Sequence, residues 1–270
     1  MKFLKKIIIP LLVLSLLVPT WYFNNFSVKL TEQTIYSEKV AGDIKIAVIS
    51  DLHGAKSSRI ASLVTEQNPD IIFVLGDMYT QRHYEQIDTA IKLIEALAMV
   101  ADTYVVTGEH DTDQSYIDKL NSLENVHLMN YKEENLSVYG TEISIYGIDN
   151  VYFSSTFDLH NEFEEPDQSR LNILLSHIPE TEDFEDFGVD IIFSGDTHGG
   201  MIRLPFIGPI YYNGYVLPRL TYSERMTDKG LFSFDDKQIF VTSGVGNYPV
   251  PLRFLNRPEV CMITLKETAK

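Results

Sequence analysis

Five apolar, β-branched runs in this chain each end on residues able to bind a metal ion, and this recurrence restricts the fold more than any other feature. Residues 44–50 lead to Asp51-Leu52-His53, and 71–75 lead to Gly76-Asp77. Residues 103–107 lead to Gly108-Glu109-His110-Asp111, 171–176 to His177, and 191–194 to Gly195-Asp196-Thr197-His198-Gly199. Short apolar runs bounded in this way read as buried strands. Between the first three, apolar residues recur at helical spacing: Ile60, Leu63 and Val64, then Ile87, Ile91, Ile94, Leu97 and Ala98. Strands alternating with helices imply parallel pairing with the helices outside. Ligands in open α/β sheets bind beyond the carboxyl ends of the strands. Carboxylates and imidazoles gathered there are the raw material of a two-metal hydrolytic centre.

After Asp111 the texture changes. Residues 126–129, 136–139 and 143–148 read as short antiparallel strands, 161–167 as a solvated acidic loop, and 231–265 as further β-structure. The simplest packing is an α/β fold of two facing mixed β-sheets flanked by helices, in four layers, over residues 42–270.

The net charge of −16 argues against nucleic acid as a partner, because phosphate backbones require neutralisation by Lys and Arg. It also argues against adhesion to anionic lipid. The one cysteine, Cys261, permits no intramolecular disulfide and reads as a small hydrophobe on a late strand. Lys2, Lys5 and Lys6 precede an uncharged apolar run over 7–23 that closes on Trp21, Tyr22 and Phe23. As a helix that run spans roughly 25 Å, enough to cross a bilayer with an aromatic belt at the far side. No small-x-small cleavage site follows, so residues 1–23 are expected to be a retained signal anchor, and 24–41 a linker with some strand character. The basic end would stay in the cytoplasm, placing the folded domain on the extracytoplasmic side.

Asp-x-His, Gly-Asp, a Gly-x-His-Asp turn, a lone strand-end His and Gly-x-x-His-Gly, in this order, resemble the calcineurin-like metallophosphoesterases. Gly199-Gly200, Arg203-Leu204-Pro205, Ser243-Gly244-Val245-Gly246, Arg253 and Asn256-Arg257-Pro258-Glu259 resemble the membrane-associated bacterial branch of that family. The resemblance implies two divalent metal ions (Mn, Zn, Fe, Mg or Ca). Asp51, His53, Asp77 and His198 would hold the first, and Asp77 would bridge to the second, with His177, Glu109 and Asp196. His110, with Asp111 beside it, would be catalytic, and His110 would act as the acid while a metal-activated hydroxide attacks phosphorus.

Two positions depart from the family pattern. Position 109 is Glu where the turn normally reads Gly-Asn-His, and position 196 is Asp where the last motif normally reads Gly-His-x-His. Both carboxylates can still ligate, and both fall on the second metal. Four acidic ligands facing two divalent ions give a formally neutral centre. A harder ion at the second position and an alkaline pH optimum are the expected consequences.

Arg82 and His83, after the second motif, and Arg203 are candidates for phosphate contact. Arg257 is expected to pair with Glu259, and His127 and His160 to be ordinary strand and surface residues. The apolar run 205–218 suits either a core hairpin or a lip that touches lipid. Two function classes follow. One is an anchored hydrolase acting on a phosphomonoester, phosphodiester or pyrophosphate bond of an envelope or lipid-linked substrate. The other is a non-catalytic surface module that keeps the metal site for recognition.

Overall fold

A computed structural model of the protein describes residues 2–149, 158–179, 184, 186–212, 215–216, 227–234 and 237–268. Helix α1 (Lys2–Phe26) comes first, then strands β1 (Lys29–Ser37) and β2 (Ile44–Ile49). Alternation follows: α2 (Ser58–Gln67), β3 (Ile71–Leu75), α3 (Ile87–Ala98), β4 (Thr103–Val106), α4 (Gln114–Ser122) and β5 (Val126–Leu128). The remainder is mostly strand: β6 (Lys132–Val138), β7 (Thr141–Gly147), β8 (Leu171–Leu175) and β9 (Ile191–Ser194). Two short hairpins come next, β10 (Arg203–Leu204) with β11 (Gly208–Pro209) and β12 (Tyr211–Tyr212) with β13 (Tyr215–Val216). The last strands are β14 (Gly230–Phe234), β15 (Lys237–Val241) and β16 (Glu259–Glu267).

These strands form two six-stranded mixed sheets, ordered β1-β16-β2-β3-β4-β5 and β14-β15-β9-β8-β7-β6. Strands β2 to β5 run parallel, as the strand–helix alternation requires, whereas β16 enters antiparallel to β2. Period-two geometry divides β2 between two cores. Ile44, Ile46 and Val48 pack between the sheets with Phe73, Phe193 and Phe240, while Ala47 and Ile49 pack under the helices with Ile60, Ile94 and Leu97. Helix α2 stops where Asn68 takes a left-handed conformation, and α4 starts where the Asp113 side chain accepts from Ser115 N. Helices α2, α3 and α4 cover the first sheet. The outer face of the second is covered, among the described residues, by Leu159, Phe184, Phe187 and Val189.

Two expectations differ from the observed pairing. Val126–Leu128 lies parallel to β4 rather than antiparallel, because α4 carries the chain back across the sheet. Residues 29–37, expected to lie in a linker with some strand character, form a full nine-residue edge strand parallel to β16. Of the apolar run 205–218, residues 213–214 and 217–218 lie outside the described residues.

Helix α1 includes Ile8–Phe26, one helix long and apolar enough to cross a membrane by length and composition. Pro10 and Pro19 lie within α1, and its last turn is fastened to the domain through the buried Asn24 and Asn25.

Glu259, at the start of β16, joins the edge strand to the rest. It accepts from Thr31 Oγ1 at 2.7 Å, and Lys29 and Lys229 reach it at 3.2 and 2.9 Å. Burial alone would raise its pKa, but Lys229 and Lys29 hold it down at about 2. The stability so gained is complete above the ordinary value of 4.5 and is lost as pH falls toward 2. Glu259→Gln should lower the unfolding free energy at pH 7 by about 3 kcal/mol, since Lys229 keeps its burial and loses its counter-charge. Urea titrations of the variant should also show a flatter acid limb across that window, and an unchanged limb would contradict this role.

Candidate metal centre

The carboxyl ends of β2, β3, β4, β8 and β9 meet at one edge of the facing sheets, and their loops are stitched to one another by backbone hydrogen bonds. Asp51 N donates to Gly76 O, His53 N to Asp77 O, and Gly195 N to His177 O. The loop after β15 closes the ring, with Val245 N donating to Ser50 O and Gly246 N to Asp51 O. Side-chain room is tight. A methyl group on Gly108 would collide with the Asp77 carboxylate, and one on Gly195 with the Ser50 hydroxyl. Asp51, His53, Asp77, Asp196 and His198 all hold φ between 43° and 63°. Left-handed backbone at non-glycine residues is unfavourable and persists only where surrounding contacts dictate it.

Asp77 is the centre of the cluster. Its Oδ1 accepts from His110 N at 2.9 Å. Its Oδ2 lies 3.4 Å from His177 Nε2, 3.5 Å from His53 Nε2 and 3.9 Å from His110 Nε2. His198 Nε2 stands 3.8 Å from Asp51 Oδ1, and Asp196 Oδ1 stands 4.0 Å from His177 Nε2. Glu109 reaches His110 Nε2 at 3.7 Å from a half-exposed position. Asp51–His53–His198, His53–Asp77–His110 and Asp51–Asp77–His177 each bring three ligand atoms within 4.8 Å of one another.

Both carboxylate oxygens of Asp51, His53 Nε2 and His177 Nε2 are buried without a hydrogen-bond partner among the described residues. Orphaned polar atoms of this kind are expensive, and a cation is the group that satisfies all four. Tautomers agree. His177 Nδ1–H donates to Leu75 O at 2.6 Å, so its Nε2 faces the cluster, where a bound cation would take the place of a proton. His53 Nδ1 lies 3.2 Å from the Thr80 hydroxyl. Burial lowers the His53 pKa to about 4 and takes that of His198 well below the ordinary value, which keeps both rings neutral. Burial also raises Asp51 to about 7 and pushes Asp196 and Glu109 upward. Crowded acids of this kind gain most from a bound cation.

His110 is set differently from the other histidines. Gln81 N donates to its Nδ1 at 2.9 Å, so the neutral ring carries its proton on Nε2, facing the cluster. Asp111, grouped with it from the sequence, turns inward. Its Oδ1 accepts from Met78 N, and its Oδ2 from Gly108 N, so it fastens the turns after β3 and β4 together. It is a positioning residue.

The three basic candidates are placed as follows. Arg203 donates to Asp228 Oδ2 at 2.6 Å and to Gly199 O at 2.9 Å, so its charge is already matched. His83 is exposed and pairs with Glu85 at 3.0 Å. Arg82 is exposed on the same loop, which is tied to the centre through Gln81. The expected Arg257–Glu259 pair is not formed: Arg257 donates to Ser27 O and Oγ and lies over the Phe23 ring, at 4.1 Å from its centroid.

The segment after β15 adds residues that were not among the expected site residues: Arg253 and Asn256, quoted only for the family resemblance, and Tyr248, which carried no signal in the sequence. Arg253, 2% exposed, donates to Ser243 O and Gly246 O, while Asn256 Nδ2 donates to His198 O, so this segment holds the last ligand loop in place. The Tyr248 ring stacks on His53 and meets His110 edge-on, with both centroid distances 4.6 Å.

The family model described as calcineurin-like phosphoesterase matches residues 44–200, more than half of the chain, including the loops after β2, β3, β4, β8 and β9. The uncharacterized metallophosphoesterase YkuE of Bacillus subtilis is 28% identical over 266 residues, covering 92% of this chain and 88% of that protein. Phosphodiesterase YaeI of Escherichia coli is 27% identical, covering 83% of each. The UDP-2,3-diacylglucosamine pyrophosphatase LpxG of Chlamydia trachomatis is 22% identical, covering 82% of this chain and 83% of that one. The chain belongs to the calcineurin-like phosphoesterases.

Proposed function

We propose that this phosphoesterase is anchored in the membrane by α1 and hydrolyses an envelope or lipid-linked phosphoester on the extracytoplasmic side. The convergence of unpartnered, buried Asp51, His53 and His177 atoms on Asp77 carries the hydrolytic reading. Asp51, His53, Asp77 and His198 would hold one divalent ion, and Asp77, His177, Glu109 and Asp196 a second. Bound there, the pair would activate water and neutralise charge on the phosphoryl oxygens. Support for a lipid-linked monoester, diester or pyrophosphate substrate comes from the apolar helix and from the likeness to LpxG, a UDP-2,3-diacylglucosamine pyrophosphatase.

The protein's own groups divide the remaining work. Asp77 offers Oδ2 between three imidazoles while the His110 amide occupies Oδ1, so the carboxylate is held with one oxygen turned to where a cation would bind. His110 presents Nε2–H as a hydrogen-bond donor to a phosphoryl or leaving oxygen. Full proton transfer from it would first need a proton at Nδ1, where the Gln81 amide now donates, so donation rather than acid transfer is the role assigned. Arg82 is the remaining candidate for phosphate contact, since Arg203 is neutralised by Asp228.

Turnover of an aryl phosphodiester should depend on added divalent metal. Asp77→Ala and His110→Ala should each reduce it by about 100-fold or more, with circular dichroism unchanged. Full activity in both variants would overturn the assignment. The double variant Glu109→Asn with Asp196→His removes two hard ligands. Elemental analysis after loading from equimolar zinc and manganese should then show the bound ratio moving toward zinc. A ratio equal to that of the native chain would remove the hard-ion argument.

A further inference from the structure

The chain between Tyr248 and Asn256 leaves the mouth of the metal centre and exposes an apolar face that neither the site nor the core uses. Val250, Leu252, Phe254 and Leu255 are between 43% and 55% accessible within six residues of sequence. Clustered apolar exposure of this kind marks a contact surface. The backbone beneath it is fixed to the end of α1. Trp21 Nε1–H donates to Pro251 O at 2.7 Å, and Asn24 Oδ1 accepts from Leu255 N at 2.9 Å. The Asn25 side chain accepts from Arg253 N at 2.7 Å and donates to Arg253 O at 3.1 Å.

The position of Trp21 decides what lies opposite. It precedes the end of α1 by five residues, about 7.5 Å along a helix axis. It therefore falls inside the apolar stretch Ile8–Phe26, and Pro251 sits beside that stretch rather than beyond its end. The β10–β11 hairpin is stitched alongside, with Arg203 N donating to Phe254 O and Phe254 N to Met201 O. The hairpin's Phe206 is fully exposed.

We propose that residues 250–255, with the hairpin at Phe206, form a second membrane contact: an apolar lip that enters the bilayer interface beside α1 and sets the mouth of the metal centre at the lipid–water boundary. This rests on the membrane-anchored reading of α1. The lip continues the apolar surface of that helix, which selects lipid over a protein partner. A chain of net charge −16 gains nothing from anionic headgroups, so apolar insertion is the driving force. Tyr248, stacked on the expected ligand His53, stands two residues from Val250. A phosphoester held at the bilayer surface can thus meet the ligand loops without leaving the lipid.

The test uses the full chain in phosphatidylcholine vesicles, with an environment-sensitive fluorophore on Leu252→Cys, Phe254→Cys or, as reference, Met99→Cys at an 85% exposed site. Cys261 is fully buried and does not compete for label. Nitroxide near the top of the lipid acyl chains should quench the probes at 252 and 254. Iodide in the water should quench them about threefold less than the probe at 99, as expected for interfacial burial. Equal iodide quenching at all three positions overturns the lip while leaving the anchor intact, provided the protein floats with the vesicles. Shielding from iodide without nitroxide quenching also overturns it, and assigns the face to a second copy. Failure to float removes the anchored reading and the lip together.

Discussion

A single buried carboxylate, Asp77, makes the two sheets one site. Its Oδ1 is held by the His110 amide, and its Oδ2 faces imidazoles delivered from β2, β4 and β8. Burial opposes ionisation, but His177 and the His110 amide reverse that and carry its pKa below the usual carboxylate range. The same pairing raises His177 against its own burial. Negative charge is thus fixed where strands of both sheets end, and the neighbouring acids Asp51 and Asp196 are crowded against it. Only counter-charge relieves that crowding, which is why the cluster makes sense as a cation site and poorly as a bare core.

The geometry is held by backbone rather than by side-chain reach. Five of the expected ligands sit in left-handed conformations that their side chains do not favour. Cross-loop hydrogen bonds such as Asp51 N to Gly76 O, and the inward carboxylate of Asp111, dictate those conformations. Gly108 and Gly195 permit the close approach. Strain of this sort is stored where pre-organised ligands are needed.

Strands β2, β3, β4, β8 and β9 were legible because burial on both faces leaves an unbroken apolar run, and because each run stops at a residue able to bind a metal ion. The pairing of β1 with β16 was not, since nothing local marks two strands some 230 residues apart as partners. Arg203 reads as free beside its motif only because its counter-charge, Asp228, arrives 25 residues later. Arg257 beside Glu259 misleads in the opposite sense. Arg257 lies before β16, separated from Glu259 by Pro258, and the two side chains diverge: Glu259 turns to Lys229 and Lys29 while Arg257 turns to Ser27. Tyr248 carried no signal, because an aromatic ring becomes informative only once it is seen lying on two histidines.

Arg253 shows why the N-terminal helix and the metal centre belong to one mechanical unit. Its main-chain N–H and C=O are both bound by the Asn25 side chain from the last turn of α1. Its guanidinium, in turn, grips Ser243 O and Gly246 O, whose loop backs Asp51, and Asn256 three residues on holds His198 O. Burial lowers this guanidinium to about 10, still far above neutrality, so the charge and its donors persist. A passive tether would need none of these bonds. With them in place, the direction in which α1 leaves the domain is fixed relative to the ligand loops. The orientation of the site toward whatever surrounds that helix then becomes a property of the fold rather than of a flexible linker.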